Sequence, residues 1–198
     1  MKSITSWIER NLYLKVNAEK SKVVRPTNSH FLGFTYWKRE GKWRLRVGED
    51  RKARIKGKVR KVLTRANASV FTLGNVIYQV NQTVKGWINY YAPADMKTFV
   101  TELGCWIRHR TRVIIVRSWK RPRTIFENLT ILNRIGNCGY TPEQLRIIAN
   151  SRLGPWRMCG MPGINKLISP QVLGTPNKKR HRPGLVDPLE FYLGKHKT

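Results

Sequence analysis

Apolar residues recur at intervals of three and four along the central part of the chain, a period typical of helices. One such helix, basic and amphipathic, is predicted over residues 51–65. A second follows Thr72, its predicted N-cap, and ends before Pro93, since proline cannot continue a helix. Asp95 is predicted to cap a third, whose apolar positions continue to Ile114. Because the connection between the last two is short, the three helices are predicted to pack as an antiparallel bundle.

The pattern before these helices is typical of strands. Leu14 and Val16 alternate with polar residues like a short strand. Two runs of strand-forming residues flank a turn at Gly41 and predict a β-hairpin: HFLGFTYW and WRLRV. A glycine inside the first run, Gly33, indicates a bulge or a close approach of another segment. A helix at residues 3–11 leads directly into these segments with few partners of its own, so we expect further sequence upstream.

The region after the bundle predicts short helices and then a tail. Two residue pairs have the spacing of a capping box and predict helix starts: Thr124 with Glu127, and Thr141 with Gln144. Gly136 can end the first of these helices. Beyond Gly154 the chain is rich in glycine and proline, and residues 174–184 form a charged loop or tail. The predicted fold class is mainly α, with a small N-terminal β-hairpin, a three-helix bundle, short helices and an irregular basic tail.

The large positive net charge indicates which kind of partner the protein binds. Lys and Arg number 39 against 11 Asp and Glu, which gives a formal charge of +28, while 40% of the residues are hydrophobic. That hydrophobic content indicates a folded protein, and the charge favours a polyanionic partner, either nucleic acid or an anionic membrane. The charge is spread over the whole chain rather than along one amphipathic helix, which disfavours the membrane. Without a signal peptide or a long apolar stretch, we expect a cytoplasmic or organellar-matrix protein that is not secreted.

The scarcity of acidic residues excludes the commonest metal chemistry. Two-metal phosphoryl transfer needs at least two converging carboxylates, and the one adjacent pair, Glu49 and Asp50, lies among basic residues as solvated, locally paired charges. The four histidines and the three cysteines have no zinc-site spacing. A hydrolase with a Ser or Cys nucleophile stays an open alternative, although no nucleophile-elbow motif supports it. We predict no metal and no cofactor in this chain.

Basic residues with interleaved aromatic residues predict an RNA-binding surface. The window from Trp106 to Arg123 contains no acid, and Arg108 and Arg112 are one helical turn apart. Guanidinium groups at that spacing can meet successive phosphates, and Arg or Trp planes can stack on unpaired bases. The predicted RNA-binding residues are Arg54, Lys58, Arg60, Lys61, Arg65, Lys85, Arg108, Arg110, Arg112, Arg117, Lys120, Arg121, Arg123 and Arg157.

The aromatic residues at helical spacing are predicted to fill the core rather than to stack on bases. They are Trp87, Tyr90, Tyr91, Phe99 and Trp106. For Trp43 on the predicted hairpin, the sequence favours neither a core position nor a role in base stacking.

Several strings resemble one family. Two of them resemble the last two conserved blocks of group II intron reverse transcriptases: NAEKSKVV and HFLGFTYW. Three more are similar to the maturase-specific region of group II intron-encoded proteins, also called domain X or the thumb: VNQTVKGWINYY, FVTELGCWIRHRTR and WKRPRT. A late WRM string is similar to a tryptophan–arginine pair that ends that region. The resemblance covers roughly residues 10–160.

The resemblance implies a division of the chain into three parts. Residues 1–48 would be a remnant of the reverse transcriptase palm, residues 49–160 the three-helix thumb or domain X, and residues 161–198 a basic tail containing glycine and proline. Within the palm remnant, Lys20 would lie near the incoming nucleotide and Phe31–Phe34 would belong to the primer grip. The motif residues carried over in this way are Asn17, Lys20, Phe31, Leu32, Gly33 and Phe34.

The family's catalytic aspartates lie upstream of these blocks and have no counterpart here, so the Mg²⁺ of the reaction would belong to the missing palm. The zinc-bearing endonuclease of some members is also missing, and residues 165–198 diverge from the usual ending. The resemblance therefore implies a maturase fragment that binds structured group II intron RNA and assists its folding and splicing without polymerase activity of its own.

Two alternatives stay open. The chain could be the C-terminal part of an active RNA-directed DNA polymerase that needs a separately encoded palm. It could also be a general basic nucleic-acid-binding protein.

Overall fold

The computed structural model describes residues 1–64, 67, 72–178 and 182–196 of the chain. These residues are mainly helical, with one small antiparallel sheet of three strands near the N-terminus, which confirms the predicted fold class. The helices follow from the three- and four-residue spacing of the apolar positions, which puts those side chains on one face. No helix in the described ranges is long and apolar enough to cross a membrane.

The first helix, α1 (Lys2–Leu12), confirms the helix predicted at residues 3–11, and none of its residues is buried. The strand predicted at Leu14 and Val16 is wrong, because these residues have no regular structure and no strand pairs with them in the described part of the chain. Asn17 forms a local turn there, and its side-chain oxygen accepts the backbone N–H of Lys20 at 3.0 Å. A 3₁₀ turn follows at Pro26–Asn28.

The sheet consists of β1 (His30–Phe31), β2 (Phe34–Arg39) and β3 (Lys42–Val47), antiparallel and in that order. The hairpin turn at Gly41 is confirmed. The run HFLGFTYW is not one strand, however. Leu32 and Gly33 both have positive φ angles, 52° and 86°, and make a tight turn between β1 and β2, which we call the first turn of the sheet.

Gly33 also confirms the predicted close approach. A Cβ atom at this position would lie 2.6 Å from the hydroxyl oxygen of Tyr91, closer than two such atoms can come. The glycine therefore lets the first turn pack directly against the helical part of the chain.

Three long helices follow: α2 (Glu49–Val62), α3 (Leu73–Tyr91) and α4 (Lys97–Ser118). Thr72 caps α3 as predicted, and its hydroxyl oxygen accepts the Asn75 N–H at 3.4 Å. The predicted cap at Asp95 is wrong. The backbone N–H of Asp95 donates to Leu45 at 2.9 Å, which ties this residue to β3, and α4 begins after Met96 without a side-chain cap.

The apolar faces of these helices meet in one core, to which β3 adds Val47. A side chain of Leu, Ile or Val contributes roughly 1.5–3 kcal/mol when it is fully buried, so this cluster dominates the stability of the bundle. The fully buried side chains from the three helices include Ile55, Val59, Ile77, Val84, Ile88, Val100, Leu103 and Ile107.

The aromatic residues of α3 and α4 mostly join this core as predicted. The Trp87 ring lies 4.8 Å from Tyr91 and 5.4 Å from Phe99, and Trp106 is half-buried against the core. Tyr90 is the exception, with 54% of its surface exposed. It lies on the outer side of α3, so the core prediction is wrong for this residue.

Two further helices, α5 (Pro122–Gly136) and α6 (Pro142–Ala149), follow α4. The capping box of Thr141 and Gln144 is confirmed at the start of α6. The one predicted for Thr124 and Glu127 is wrong, because α5 already begins at Pro122, whose fixed φ angle suits the first helical position. Glu127 instead pairs with a side chain of its own helix.

Four short helices complete the described chain: α7 (Pro155–Met158), α8 (Pro162–Leu167), α9 (Pro170–Gly174) and α10 (Pro188–Gly194). Three of them lie in the segment 161–198. The described part of this basic tail is therefore more regular than the sequence indicates, and α10 packs against both α3 and α4.

The C-terminal segment is held to the bundle by buried polar contacts. Asn81 of α3 donates to the carbonyl oxygen of Gly184 at 2.8 Å and accepts the N–H of Val186 at 3.0 Å. The Tyr192 hydroxyl donates to the carbonyl oxygen of Ala94 at 2.9 Å. These contacts fix residues 184–192 across α3 and the start of α4.

Candidate nucleic-acid interface

Helix α2 presents a row of cations along one side. Arg54, Lys58 and Lys61 are exposed, and their spacing of four and three residues places them on one stripe of the helix. Ile55 and Val59 of the same helix are buried in the core, so the orientation of α2 is fixed and the cationic stripe must face outward. The helix backbone that carries the row is held in place by this packing.

This row borders a groove between α2 and α3, which we call the α2–α3 groove. It has a volume of about 460 Å³. Arg54 and Lys58 stand on one wall, and Gln82, Thr83 and Tyr90 stand on the other. Cations on one wall and hydrogen-bonding groups on the other suit a phosphate backbone with its sugars.

A second cationic cluster lies where α2 and α4 meet near α7. Arg110 is inserted between two indoles, with its guanidinium carbon 5.3 Å from the Trp106 ring and 6.0 Å from the Trp156 ring. His109 packs edge-on against Trp156 at 4.3 Å. We call these four residues the Trp156 platform.

Charge accumulates around the platform. Burial, together with the neighbouring charges of Arg60 and Arg117, lowers the pKa of Arg110 below its ordinary value. None of these three arginines has an acidic partner within 4.0 Å among the described residues. The cluster is therefore a net positive site that an anion would stabilise.

Arg108 and Arg112 do not lie on this surface. They occupy the opposite face of α4, where Arg108 pairs with Asp187 at 2.5 Å and the Arg112 Nε–H donates to the carbonyl oxygen of Ile168 at 2.8 Å. Arg112 is only 7% exposed. The prediction that these two arginines present their guanidinium groups to successive phosphates is corrected, because the fold places the C-terminal segment against them.

The remaining predicted cations fall into three groups. Lys120, Arg121, Arg123 and Arg157 are exposed, although Arg123 pairs with Glu127 at 3.0 Å. Lys85 lies 5.7 Å from the ring of Phe191 in α10, away from the α2–α3 groove. Arg65 lies outside the described residues.

Four of the six residues carried over from the palm resemblance, Phe31–Phe34, form the turn between β1 and β2 and its flanks, and Asn17 and Lys20 lie in the segment before the sheet. Asn17, Lys20, Phe31 and Leu32 are exposed. Phe34 packs against two tyrosines of α3, with its ring 5.1 Å from Tyr91 and 6.0 Å from Tyr90, and the Tyr90 hydroxyl donates to the Leu32 carbonyl oxygen at 3.2 Å. The hairpin is thus fixed to one end of the α2–α3 groove, a juxtaposition that the sequence does not reveal.

The acidic pair beside this region is neutralised locally. Glu49 accepts a hydrogen bond from Lys52 at 2.7 Å, which is the main reason that the pKa of its carboxyl is lowered, and Asp50 pairs with Arg51 at 3.0 Å. In the part of the chain that the structure describes, no group of three or more His, Cys, Asp or Glu side chains is arranged to hold a metal ion.

Both cationic surfaces are built on helices that match a known family. Residues 52–130, which include nearly all of α2, all of α3 and α4, and about half of α5, match the family model described as group II intron, maturase-specific domain. These residues are therefore similar to a group II intron maturase-specific domain. A search of curated proteins found no match to the chain.

The segment that matches the family model supplies most of the candidate interface. All but one of the residues that line the α2–α3 groove, and three of the four platform residues, fall inside the matched range; the exception in the groove is Arg51. Trp156 and Arg157 lie beyond it, as do the strings near the N-terminus, so the palm assignments stay predictions. Sequence reasoning left Trp156 out of the RNA-binding residues, and the WRM string with a helix-starting Gly154–Pro155 before it was the available signal.

Proposed function

We propose that this chain binds structured group II intron RNA through the cationic surfaces of its maturase-specific domain and assists the folding and splicing of that RNA. The observation that carries the proposal is the outward cationic stripe of α2, Arg54, Lys58 and Lys61, held rigid on a domain whose family is defined by group II introns. Cations along one stripe of a packed helix can neutralise successive phosphates of an RNA backbone. The chain would act where such introns are spliced, in a bacterial cytoplasm or an organellar matrix.

A charge-removal experiment tests the surface. In the double variant Arg54→Gln/Lys58→Gln, intron RNA affinity should fall, and the slope of log K against log salt should flatten by about one unit for each phosphate that is no longer neutralised. The matched control is Lys97→Gln/Lys195→Gln, which removes two exposed cations outside the groove, one at the start of α4 and one directly after α10. Equal reductions of affinity in the two double variants would show that only total charge matters and would contradict the proposed surface.

The same RNA assay separates this function from general nucleic-acid binding. Labelled intron transcript bound to the chain should be displaced poorly by transfer RNA or duplex DNA. Displacement by those competitors at the same concentration as unlabelled intron would support the general basic binder instead.

We also propose that the chain does not polymerise alone. Its acidic residues number only 11, and the adjacent pair Glu49 and Asp50 is engaged by neighbouring cations. Purified chain with primed RNA template, dNTPs and Mg²⁺ should give no extension product. Template-dependent extension that survives repurification would overturn this part of the proposal.

An exposed apolar surface favours a second candidate, the completion of a reverse transcriptase by a separately encoded palm. Ile4 and Trp7 of α1 are 56% and 58% exposed, and Phe31 and Leu32 of the first turn are 62% and 63% exposed. A palm polypeptide that covered these side chains would remove apolar surface from water. Co-purification with a palm polypeptide, abolished by Trp7→Asp/Phe31→Asp and retained with Lys2→Asp/Lys38→Asp, would support this role.

A further inference from the structure

The Trp156 platform contains an exposed aromatic ring, which has no role in the phosphate contacts of the proposed function. Its outer member, Trp156, leaves 48% of its surface exposed. The short helix that carries it is anchored by Met158 and the adjoining Cys159, both buried. A large indole is therefore held at the surface by a backbone that is itself fixed in the core.

The platform is pre-organised. His109 contacts Trp156 with their ring planes at 71° to each other, and the Arg110 guanidinium lies over the rings of both Trp156 and Trp106. Arg110 is fixed in turn, because one of its terminal nitrogens donates to the Leu63 carbonyl oxygen at 3.1 Å. A ligand that stacks on Trp156 would thus pay little for ordering the protein side chains.

The positive charge around the platform indicates that a ligand stacked on Trp156 also carries negative charge. Arg110 has its Nε–H buried without an acceptor, and Arg60 and Arg117 add two further guanidinium groups without an acidic partner among the described residues. A half-exposed indole near three guanidinium groups that have no acidic partner among the described residues matches a ligand that has both a flat ring and phosphates. An unpaired nucleotide in a folded RNA has both.

We propose that the Trp156 platform binds one unpaired base of the intron RNA by stacking on the Trp156 indole, while Arg60 and Arg117 contact the flanking phosphates. This inference rests on the proposed RNA-binding function and adds a second kind of contact to it. The α2–α3 groove has its cations on one wall and reads the backbone, whereas the platform recognises that a base is out of the helix. An acidic peptide would satisfy the charges but not the indole, which is why we favour RNA.

The test compares two RNA stems that differ only in one bulged 2-aminopurine, present in one and base-paired in the other. Full-length chain should bind the bulged stem more tightly and quench the 2-aminopurine fluorescence. Trp156→Ala should weaken binding to the bulged stem by about five- to a hundredfold, the usual effect of removing one base–aromatic stack, and should leave the paired stem nearly unchanged. Trp156→Phe should recover most of the affinity.

A crosslink gives a readout that does not depend on a variant. With 4-thiouridine at the bulge, the wild-type chain should form a photoproduct at Trp156 or Arg157 that peptide mass spectrometry can locate. Crosslinks confined to α2 and α3 would overturn the platform.

The outcomes separate the two proposals. Binding of both stems to the same degree, with weaker binding only in Arg54→Gln/Lys58→Gln, would overturn the platform and keep the proposed function. Failure of both stems and of intron RNA to bind would overturn the proposed function itself. A polyglutamate peptide that displaced the bulged stem as well as unlabelled bulged stem does would show that the cluster reads charge alone, which would also overturn the platform.

Discussion

Arginines that lie within one turn of each other on α4 have different surroundings and therefore different roles. Arg110 is half-buried between two indoles beside other cations, whereas Arg112 is almost fully buried and donates to a carbonyl oxygen of the C-terminal segment. A buried guanidinium is stable only when its donors are paired, so Arg112 is a structural residue. A helical period of 3.6 residues puts residues two apart in sequence on opposite faces, and burial then decides what each can do.

We expect Arg112→Gln to destabilise the fold. The shorter neutral side chain cannot reach the carbonyl oxygen of Ile168, so the free energy of unfolding should fall by about 1.5–3 kcal/mol, the usual value for a hydrogen bond to a charged group. Urea denaturation measures this value, and Arg117→Gln, which removes an exposed arginine of the same helix, is the control. Equal stability of the two variants would show that the hydrogen bond of Arg112 contributes nothing.

His109 should make the stability depend on pH. Burial, with further contributions from the charges of Arg112 and Arg110, lowers its pKa below the ordinary 6.5. The unfolded chain then takes up this proton more readily than the folded chain, so stability is complete above about pH 6.5 and declines as the pH falls towards the folded-state pKa. Thermal melts from about pH 7.5 to 5 should show a decline that His109→Gln reduces. A wild-type decline identical to that of the variant would refute the assignment.

In α2 and α4, the face of the helix that is buried determines which of its cations stay exposed. The apolar stripe of α2 fixes its cationic stripe towards solvent, and α4 is covered on one face by the core and on another by α10 and the C-terminal segment. The C-terminal segment thereby keeps Arg108 and Arg112 out of the exposed cationic surface. It also leaves Arg110 and Arg117 on the side where α2 ends.

Asn81 should be the main polar link between α3 and the C-terminal segment. In Asn81→Ala the N–H of Val186 and the carbonyl oxygen of Gly184 have no partner from α3, at a cost of about 1–3 kcal/mol for a buried group left unpaired. We expect faster amide exchange confined to residues 182–196, measured by hydrogen–deuterium exchange. Asn89→Ala, at an exposed position of the same helix, should leave the exchange unchanged. Unaltered exchange in both variants would refute the link.

The protein as a unit carries a charge of +28, and its ion pairs in the described residues are mostly exposed. Exposed pairs contribute little, while repulsion among so many cations acts against the compact state. This excess charge should therefore lower the stability of the free protein.

Salt should stabilise the free chain. At about 0.01 M salt the charges interact over about 30 Å, and at about 0.5–1 M over only a few ångström, so repulsion between distant cations is screened first. The melting temperature in sodium chloride should rise across this range, with the largest change at the low end, as differential scanning fluorimetry can measure. A melting temperature that falls steadily would show that attractive ion pairs outweigh the repulsion.

Much of the helical architecture could be predicted because it depends on local signals. The apolar period located the bundle, and Thr72 and the Thr141–Gln144 pair located two helix starts, since capping involves residues only three apart. Asp95 and Thr124 have side chains that suit a helix cap, but both cap predictions were wrong. Asp95 is held by a contact with β3, and the helix near Thr124 already begins at a proline two residues upstream. The platform could not be predicted, since Trp156 lies 46 residues after Arg110 in the sequence.

The sequence by itself determined the helical content, the hairpin at Gly41, the excess of cations and the resemblance to maturases, because composition, period and short motifs need no knowledge of distant neighbours. Only the tertiary structure decided which cations are available. It buried Arg112, paired Arg108 with Asp187, and brought Arg60, Arg117 and Trp156 to one place. Charge is a property of the residue, but its access to a ligand depends on which segments pack over it.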